Sequence, residues 1–390
     1  MQKFNFDEEI DRRAVPALKW HKMVLGADGM DLFPGSVADM DFKAPPVVLE
    51  ALQARLDHGV FGYEAVPEEL IPALTGWLTE HHNWRVDPNH ILRAPNVLNS
   101  MSMAINAFSD PGDKLIVQPP VFFDFYDIAA ENGREILSNP LIESDGDYRM
   151  DFEDLARKAA DPRAKIMLLC NPHNPVGRVW RAEELRRLGD ICAAHGVLVI
   201  SDEIHGGLSF GDHKYTPFAS LGADYARNSV TSISPAKLFN LAACGAAFTI
   251  VPDDAKRVAL QAENSRLTVN KNNAFASAAM VAAYNGGGPW LDAALKYLEA
   301  NARLVVDMLA DTRIESRVPE GTFLMWLDFR KLGMDPVELH PFLREQANMQ
   351  LTRGIAFGEE GRGFARLNIA CPRGRLKAAL EALVAAVTAS

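Results

Sequence analysis

Cysteine is scarce in this chain. Four occur in 390 residues, at positions 170, 192, 244 and 371, and no two form a C-x-x-C pair. That spacing excludes a paired-cysteine zinc site and a disulfide framework, and it suits a reducing compartment. Long apolar runs are also lacking: no stretch approaches the roughly 18–20 residues that a transmembrane helix requires. The amino terminus, MQKFNFDEEIDRR, is charged and has no apolar signal core. A cytoplasmic protein with no membrane contact is expected. A basic excess is missing too. The net charge is −11, and stretches such as RAEELRRL interleave acids with their arginines. Such a stretch reads as a solvated helix face, and the acidic balance argues against nucleic acid as a partner. Internal repeats and low-complexity linkers are absent.

What remains is an ordinary globular composition, 48% hydrophobic and 23% charged. The length accommodates two domains, or one large core with a smaller attachment. In the middle of the chain short apolar runs alternate with helix-period segments. KLIVQ (114–118), KIMLLC (165–170), GVLVIS (196–201), SVTSIS (229–234) and AAFTIV (246–251) read as buried strands bounded by Gly, Pro, Asp or Asn. LNSMSMAINAF (98–108) and AEELRRLGDICAAHG (182–196) read as helices, the second closed by a C-cap glycine. The alternation predicts a large α/β domain with a doubly wound, mainly parallel sheet, spanning residues 45–284. Residues 1–44 and 285–390 are expected to form a smaller α+β domain, with helices near 290–310 and 374–388 flanking the strands GTFLMWLDF (321–329) and FARLNIA (364–370).

Ligands of open α/β sheets collect at the carboxyl ends of the strands. After KLIVQ comes PPVFFDFY; after KIMLLC, NPHNPVG; after GVLVIS, DEIH; after SVTSI, SPAKLFN. One site would receive an aromatic, an asparagine, an acid and a lysine. Each has an ordinary reading alone: Phe122 and Phe123 as core, NPHNPVG as a rigid turn, Asp202 as a helix N-cap. The group Asp202, Glu203, His205, Asp212 and His213 matches no metal-ligand spacing, so no metal is expected. Lys237, however, is the one charge in the apolar and small-residue run VTSISPAKLFNLAACG. A buried ammonium is costly unless paired or neutral, and an imine to a carbonyl cofactor removes that cost. Pyridoxal 5′-phosphate (PLP) needs such a lysine, a carboxylate for its pyridinium nitrogen, an aromatic face, a donor to its phenolic oxygen, and amides or hydroxyls for its phosphate.

At these residues the chain resembles PLP enzymes of fold type I. It is most similar to the branch of the class I/II aminotransferase family that contains the MalY/PatB-type cystathionine β-lyases. The resemblance runs from VADMDF (37–42) through FGY (61–63), NPHNPVGRVW (171–180), SDEIH (201–205) and KLFNLA (237–242) to GTFLMWLDFR (321–330) and GFARLNIACPR (363–373). It implies Lys237 as Schiff-base lysine, Asp202 on the ring nitrogen, Asn174 on the phenolic oxygen with His205 beside it, and Phe122 stacked on the ring. It further implies phosphate contacts from Asn96, Val97, Leu98 and Ser234, with Tyr63 reaching the neighbouring subunit's phosphate, hence a homodimer with shared sites. Arg366 would clamp the carboxylate of a small amino-acid substrate, near Ala38 and Asp39 of VADMDF.

This sequence also departs from the pattern. Ser36 stands where relatives commonly have tryptophan, and AKLFN replaces the commoner SKTFN, with Ala236 and Leu238 flanking the lysine. No arginine lies eight residues beyond Lys237, where aspartate-type aminotransferases carry one, and this favours the lyase branch. The resemblance therefore implies β-elimination from L-cystathionine or other S-substituted L-cysteines, with an aminotransferase as the alternative. A PLP-binding regulatory protein without turnover is the third reading, and the presence of Lys237, Asp202 and Arg366 counts against it.

Overall fold

The computed structural model describes residues 4–26, 31–269 and 271–389. The first three residues of the charged amino terminus lie outside that range. Seven strands form the main sheet: β1 Ile91–Ala94, β2 Lys114–Val117, β3 Glu135–Ser138, β4 Ala164–Cys170, β5 Leu198–Asp202, β6 Ser229–Ile233 and β7 Ala247–Ile250. Their spatial order is β1-β7-β6-β5-β4-β2-β3. Only β7 runs against its neighbours. The expected strands appear within two residues of their predicted bounds. β1 and β3, which the sequence pattern does not single out, are the two edges. Each carries a charged residue, Arg93 and Glu135, and neither is buried along its length.

The central strands read as continuous apolar runs because both of their faces are covered. Alternate residues point to opposite sides of the sheet. Ile166, Leu168 and Ile200 pack beneath helix α1 (Val97–Phe108), whose buried residues Val97, Met101, Ala104 and Ile105 share one helical face. Met167, Leu169 and Val199 pack on the other side against Leu185, Leu188 and Cys192. Those three belong to α3 (Ala182–Ala194), while α2 (Asp124–Glu131) follows β2. His195 ends α3, and the expected glycine, Gly196, comes one residue later with φ +69°. The sheet is therefore covered on both faces, as a doubly wound fold requires.

Toward the carboxyl terminus a second sheet forms from β8 (Leu324–Asp328), β9 (Thr352–Arg353) and β10 (Phe364–Asn368), antiparallel in the order β8-β10-β9. Helices α4 (Gly288–Leu309) and α5 (Arg373–Ala389) pack with it. Their core also takes in Phe6, Phe33, Met40 and Phe42 from the amino terminus. The segment 36–42 thus lies between the C-terminal sheet and the carboxyl edge of the main sheet.

Candidate active site

Because six strands point one way, the residues after β1, β2, β4, β5 and β6 emerge at the same edge. There they enclose a cavity of about 250 Å³. Asn96, Val97 and Leu98 border it from the start of α1; Phe122 from the segment after β2; Asn174, Asp202 and His205 from beyond β4 and β5. Ser234 and Lys237 come from the loop joining β6 to β7, and Ala38 closes the cavity from the amino-terminal segment.

Lys237 donates from Nζ to the backbone oxygen of Ala38 at 2.5 Å. Burial brings its pKa down to about 8, and the Arg366 charge adds to this, against the opposing pull of Asp39, Asp202 and Asp124. Asp202 ends β5 and is almost wholly buried. One of its carboxylate oxygens accepts from the Ile204 N–H at 3.0 Å, so it braces the turn while facing the cavity. Burial raises its pKa to about 6, although Lys237 and the Ile204 bond favour the charged form. His205 is buried, and its Nδ1 has no partner among the described residues. Burial, together with the charges of Lys237 and Arg366, holds this ring neutral, well below its usual pKa.

Asn96 caps α1 by accepting from the Asn99 N–H at 2.7 Å. The first-turn amides of Val97 and Leu98 have no intrahelical acceptor and open toward the cavity at the positive end of the helix. Ser234 borders the cavity, but its hydroxyl already donates to the Ala246 oxygen at 2.6 Å and accepts from the Ala236 N–H at 3.1 Å. Its present work is to fix the lysine loop. Phe122 lies with its ring 4.9 Å from that of Phe123.

Arg366, on β10, is 2% exposed and stands one residue behind the cavity wall. It donates to Asn174 Oδ1 at 3.0 Å and to the Ser36 oxygen at 2.6 Å, and its Nε has no partner among the described residues. The first of these bonds fixes the Asn174 amide so that its nitrogen remains a donor. Burial lowers the Arg366 pKa to about 9. Asp39 does not border the cavity; it pairs with Arg12 at 2.8 Å. Tyr63 is fully exposed and is not brought to the cavity within one chain.

Several participants carry no clear signal in the sequence. Asn240, three residues past the lysine at φ +56°, accepts from Met40 N at 3.1 Å and donates to the Met40 and Phe42 oxygens at 3.0 and 2.8 Å. It ties segment 36–42 to the lysine loop. Behind that segment Arg12, Lys19 and Trp20 converge on Asp41. Cys170 borders the cavity as well as being buried, and so does Asp124, an acid two residues past Phe122. The position of Asp124 just beyond a strand end was the available signal.

The cavity holds a part-buried amine of lowered pKa, a buried carboxylate and an orphaned nitrogen on His205, with a second orphaned nitrogen on Arg366 behind its wall. Buried polar atoms left unpaired in a native fold mark a place for a partner. These groups fit PLP: a nucleophilic amine, an anionic partner for a ring nitrogen, and a helix amino terminus for a phosphate.

Comparison with known proteins agrees with this chemistry. The chain is 43% identical over 386 residues to cystathionine β-lyase PatB of Bacillus subtilis (strain 168), covering 98% of this chain and 100% of that one. It is 34% identical to the protein MalY of Escherichia coli (strain K12), covering 99% of each. The crystal structure of cystalysin from Treponema denticola, which contains a pyridoxal 5′-phosphate cofactor, superposes with a TM-score of 0.96 at 32% identity and full coverage of both chains. Residues 28–383 match the family described as aminotransferase class I and II, and the chain belongs to that family.

Proposed function

We propose that this chain is a PLP-dependent carbon–sulfur lyase that cleaves L-cystathionine or related S-substituted L-cysteines to pyruvate, ammonia and a thiol. The observation that carries this reading is a lysine amine of pKa about 8 sharing one buried cavity with the Asp202 carboxylate. Full-length likeness to PatB supports the choice of reaction.

When bound, PLP supplies an electron sink for the negative charge that develops at the substrate Cα. The chain's own residues do the rest. Lys237 would hold the cofactor's carbonyl carbon and would take the substrate Cα proton on Nζ; an amine near pKa 8 is suited to that role near neutral pH. Asp202 would supply the anion that keeps a ring nitrogen protonated, and Asn174 would offer its amide nitrogen to the phenolic oxygen, with His205 alongside. Phe122 would face the ring, and Asn96, Val97 and Leu98 would hold the phosphate, with Ser234 beside them bracing the lysine loop. Arg366 receives the substrate carboxylate through its planar fork.

We also infer a homodimer in which Tyr63 completes the partner's site. Supporting this, Tyr63 lies in an exposed apolar stretch with Val60 and Phe61, and the Phe61 and Phe275 rings are 5.4 Å apart. The division at residues 45 and 284 belongs to the same reading, as does a cytoplasmic location; among the described residues no helix is long and apolar enough to cross a membrane.

The test is to mix yellow holoenzyme with L-cystathionine in the absence of any 2-oxo acid. Release of pyruvate and thiol, with the starting absorbance restored, is expected. Stable conversion to a pyridoxamine spectrum, reversed by a 2-oxo acid, would instead make the protein an aminotransferase.

A further inference from the structure

Asp124 opens α2 and borders the cavity, yet no hydrogen bond or ion pair holds its carboxylate among the described residues. Burial and the nearby Asp127 push its pKa above the ordinary value; Lys237 and Arg366 act in the opposite direction, and Glu131 adds slightly to the rise. The other acids near the cavity are engaged, Asp202 by the Ile204 N–H and Asp39 by Arg12.

In the reaction proposed above, both cations that face Asp124 have other work. Arg366 takes the substrate carboxylate and Lys237 takes the cofactor. A half-buried carboxylate without a counter-ion then remains beside Phe122, Val97, Leu98 and Ala38, on a wall whose other polar side chains include Asn96, Asn174 and Ser234. An uncompensated charge in such surroundings is costly, and a cation arriving with the substrate relieves that cost. A purely structural role at the start of α2 does not explain its placement, since Asp127 already supplies an acid to that first turn and a dipole contact does not require facing the cavity.

We propose that Asp124 is a specificity-determining residue that pairs with a cationic group on the sulfur substituent of the substrate. Cysteine thioethers that carry an ammonium on the sulfur substituent, as L-cystathionine does beside its distal carboxylate, are then preferred over those of the same length that lack one. This inference rests on the lyase reading.

The experiment compares holoenzyme acting on S-(2-aminoethyl)-L-cysteine, S-propyl-L-cysteine and S-(2-carboxyethyl)-L-cysteine. Both kcat/KM for pyruvate release and Kd from absorbance titration are measured, for the wild type and for Asp124→Asn and Asp124→Glu. The wild type is expected to favour the aminoethyl over the propyl substrate by about tenfold, the factor set by roughly 1.4 kcal/mol of charge pairing, and to disfavour the carboxyethyl one. Asp124→Asn brings the aminoethyl-to-propyl ratio close to one, and Asp124→Glu keeps it above one. A wild-type ratio near one, or a ratio unchanged in Asp124→Asn, overturns the proposal. If no substrate releases pyruvate, the lyase reading fails, while the Kd ratios still decide the role of Asp124.

Discussion

Two groups of buried and half-buried charges meet at segment 36–42, and they are built differently. On the amino-terminal side Asp41 receives Arg12 at 2.7 Å, Lys19 at 3.1 Å and the Trp20 ring nitrogen at 3.2 Å, with Arg375 at 3.5 Å. Burial alone would push the Asp41 carboxyl up, but Lys19 and Arg12 together pull it below its ordinary value. On the cavity side Lys237, Asp202, Asp124 and Arg366 sense one another across space without forming ion pairs, and their proton affinities are displaced toward the neutral forms. Paired charges brace a fold. Charges kept apart and partly desolvated store reactivity, which is why displaced proton affinities gather at working sites.

The sharpest way to break this comparison is to remove one charge from each group. Replacing Lys237 with Met is expected to cut pyruvate release by at least about a thousandfold, within the range for losing a catalytic acid–base group. The stability of the cofactor-free protein should not fall. A folded-state amine at about 8, against 10.5 as the ordinary value, binds protons less tightly than in the unfolded chain. It therefore costs stability below pH 8, and that cost fades as pH rises toward 10.5. Urea unfolding at pH 7 checks this, with a gain of up to about 3 kcal/mol expected. Loss of stability instead would mean that Lys237 braces the fold.

Asp41→Asn should do the reverse. Leaving the buried Lys19 with only the more distant Asp39 carboxylate, at 3.8 Å, is expected to cost up to about 3 kcal/mol in urea unfolding, with the kcat of surviving folded protein changed little. Because the Asp41 pKa is lowered on folding, the stabilisation is present above the ordinary carboxylate value of 3.8 and is lost as pH falls below it. Acid unfolding of the wild type, compared with the Asn variant, reads that contribution.

The smallest effect sharpens the contrast inside the cavity. Asp202 ionises near pH 6 when no cofactor is bound. Cofactor binding selects the ionised form, so affinity should fall by about tenfold between pH 7 and pH 5 as protons compete. Equilibrium dialysis of PLP measures it, and Asp202→Asn should flatten the profile. An unchanged slope in that variant would place the titration elsewhere.

The sequence revealed those parts of the molecule whose residues do one job. The central strands β4, β5 and β6 are buried on both faces and read as apolar runs, so their ends could be located and the site assembled from the residues just beyond those ends. The edge strands β1 and β3 are hidden because half-exposed ILRA and EILS carry charges that break the run. Asp202, Asn174 and Lys237 were legible as chemistry at strand ends. Asn240 was not, because its three backbone bonds depend on a segment 200 residues away in the chain. Ser234 was legible as a hydroxyl near the lysine but not as the brace it forms with Ala246. Tyr63 was named from resemblance alone, and its fully exposed position within one chain does not bring it to the cavity.

The contacts that close the cavity also bear on how the protein is made. Ser36 meets Arg366 across 330 residues and Val37 meets Asn368 across 331, so the first wall of the site cannot dock until nearly the last strand exists. On a ribosome that strand emerges well after β4 to β6, which can pair before it exists. The emerging chain therefore carries the lysine loop open on one side until β10 has left the exit tunnel, and only then is the cofactor's shelter completed.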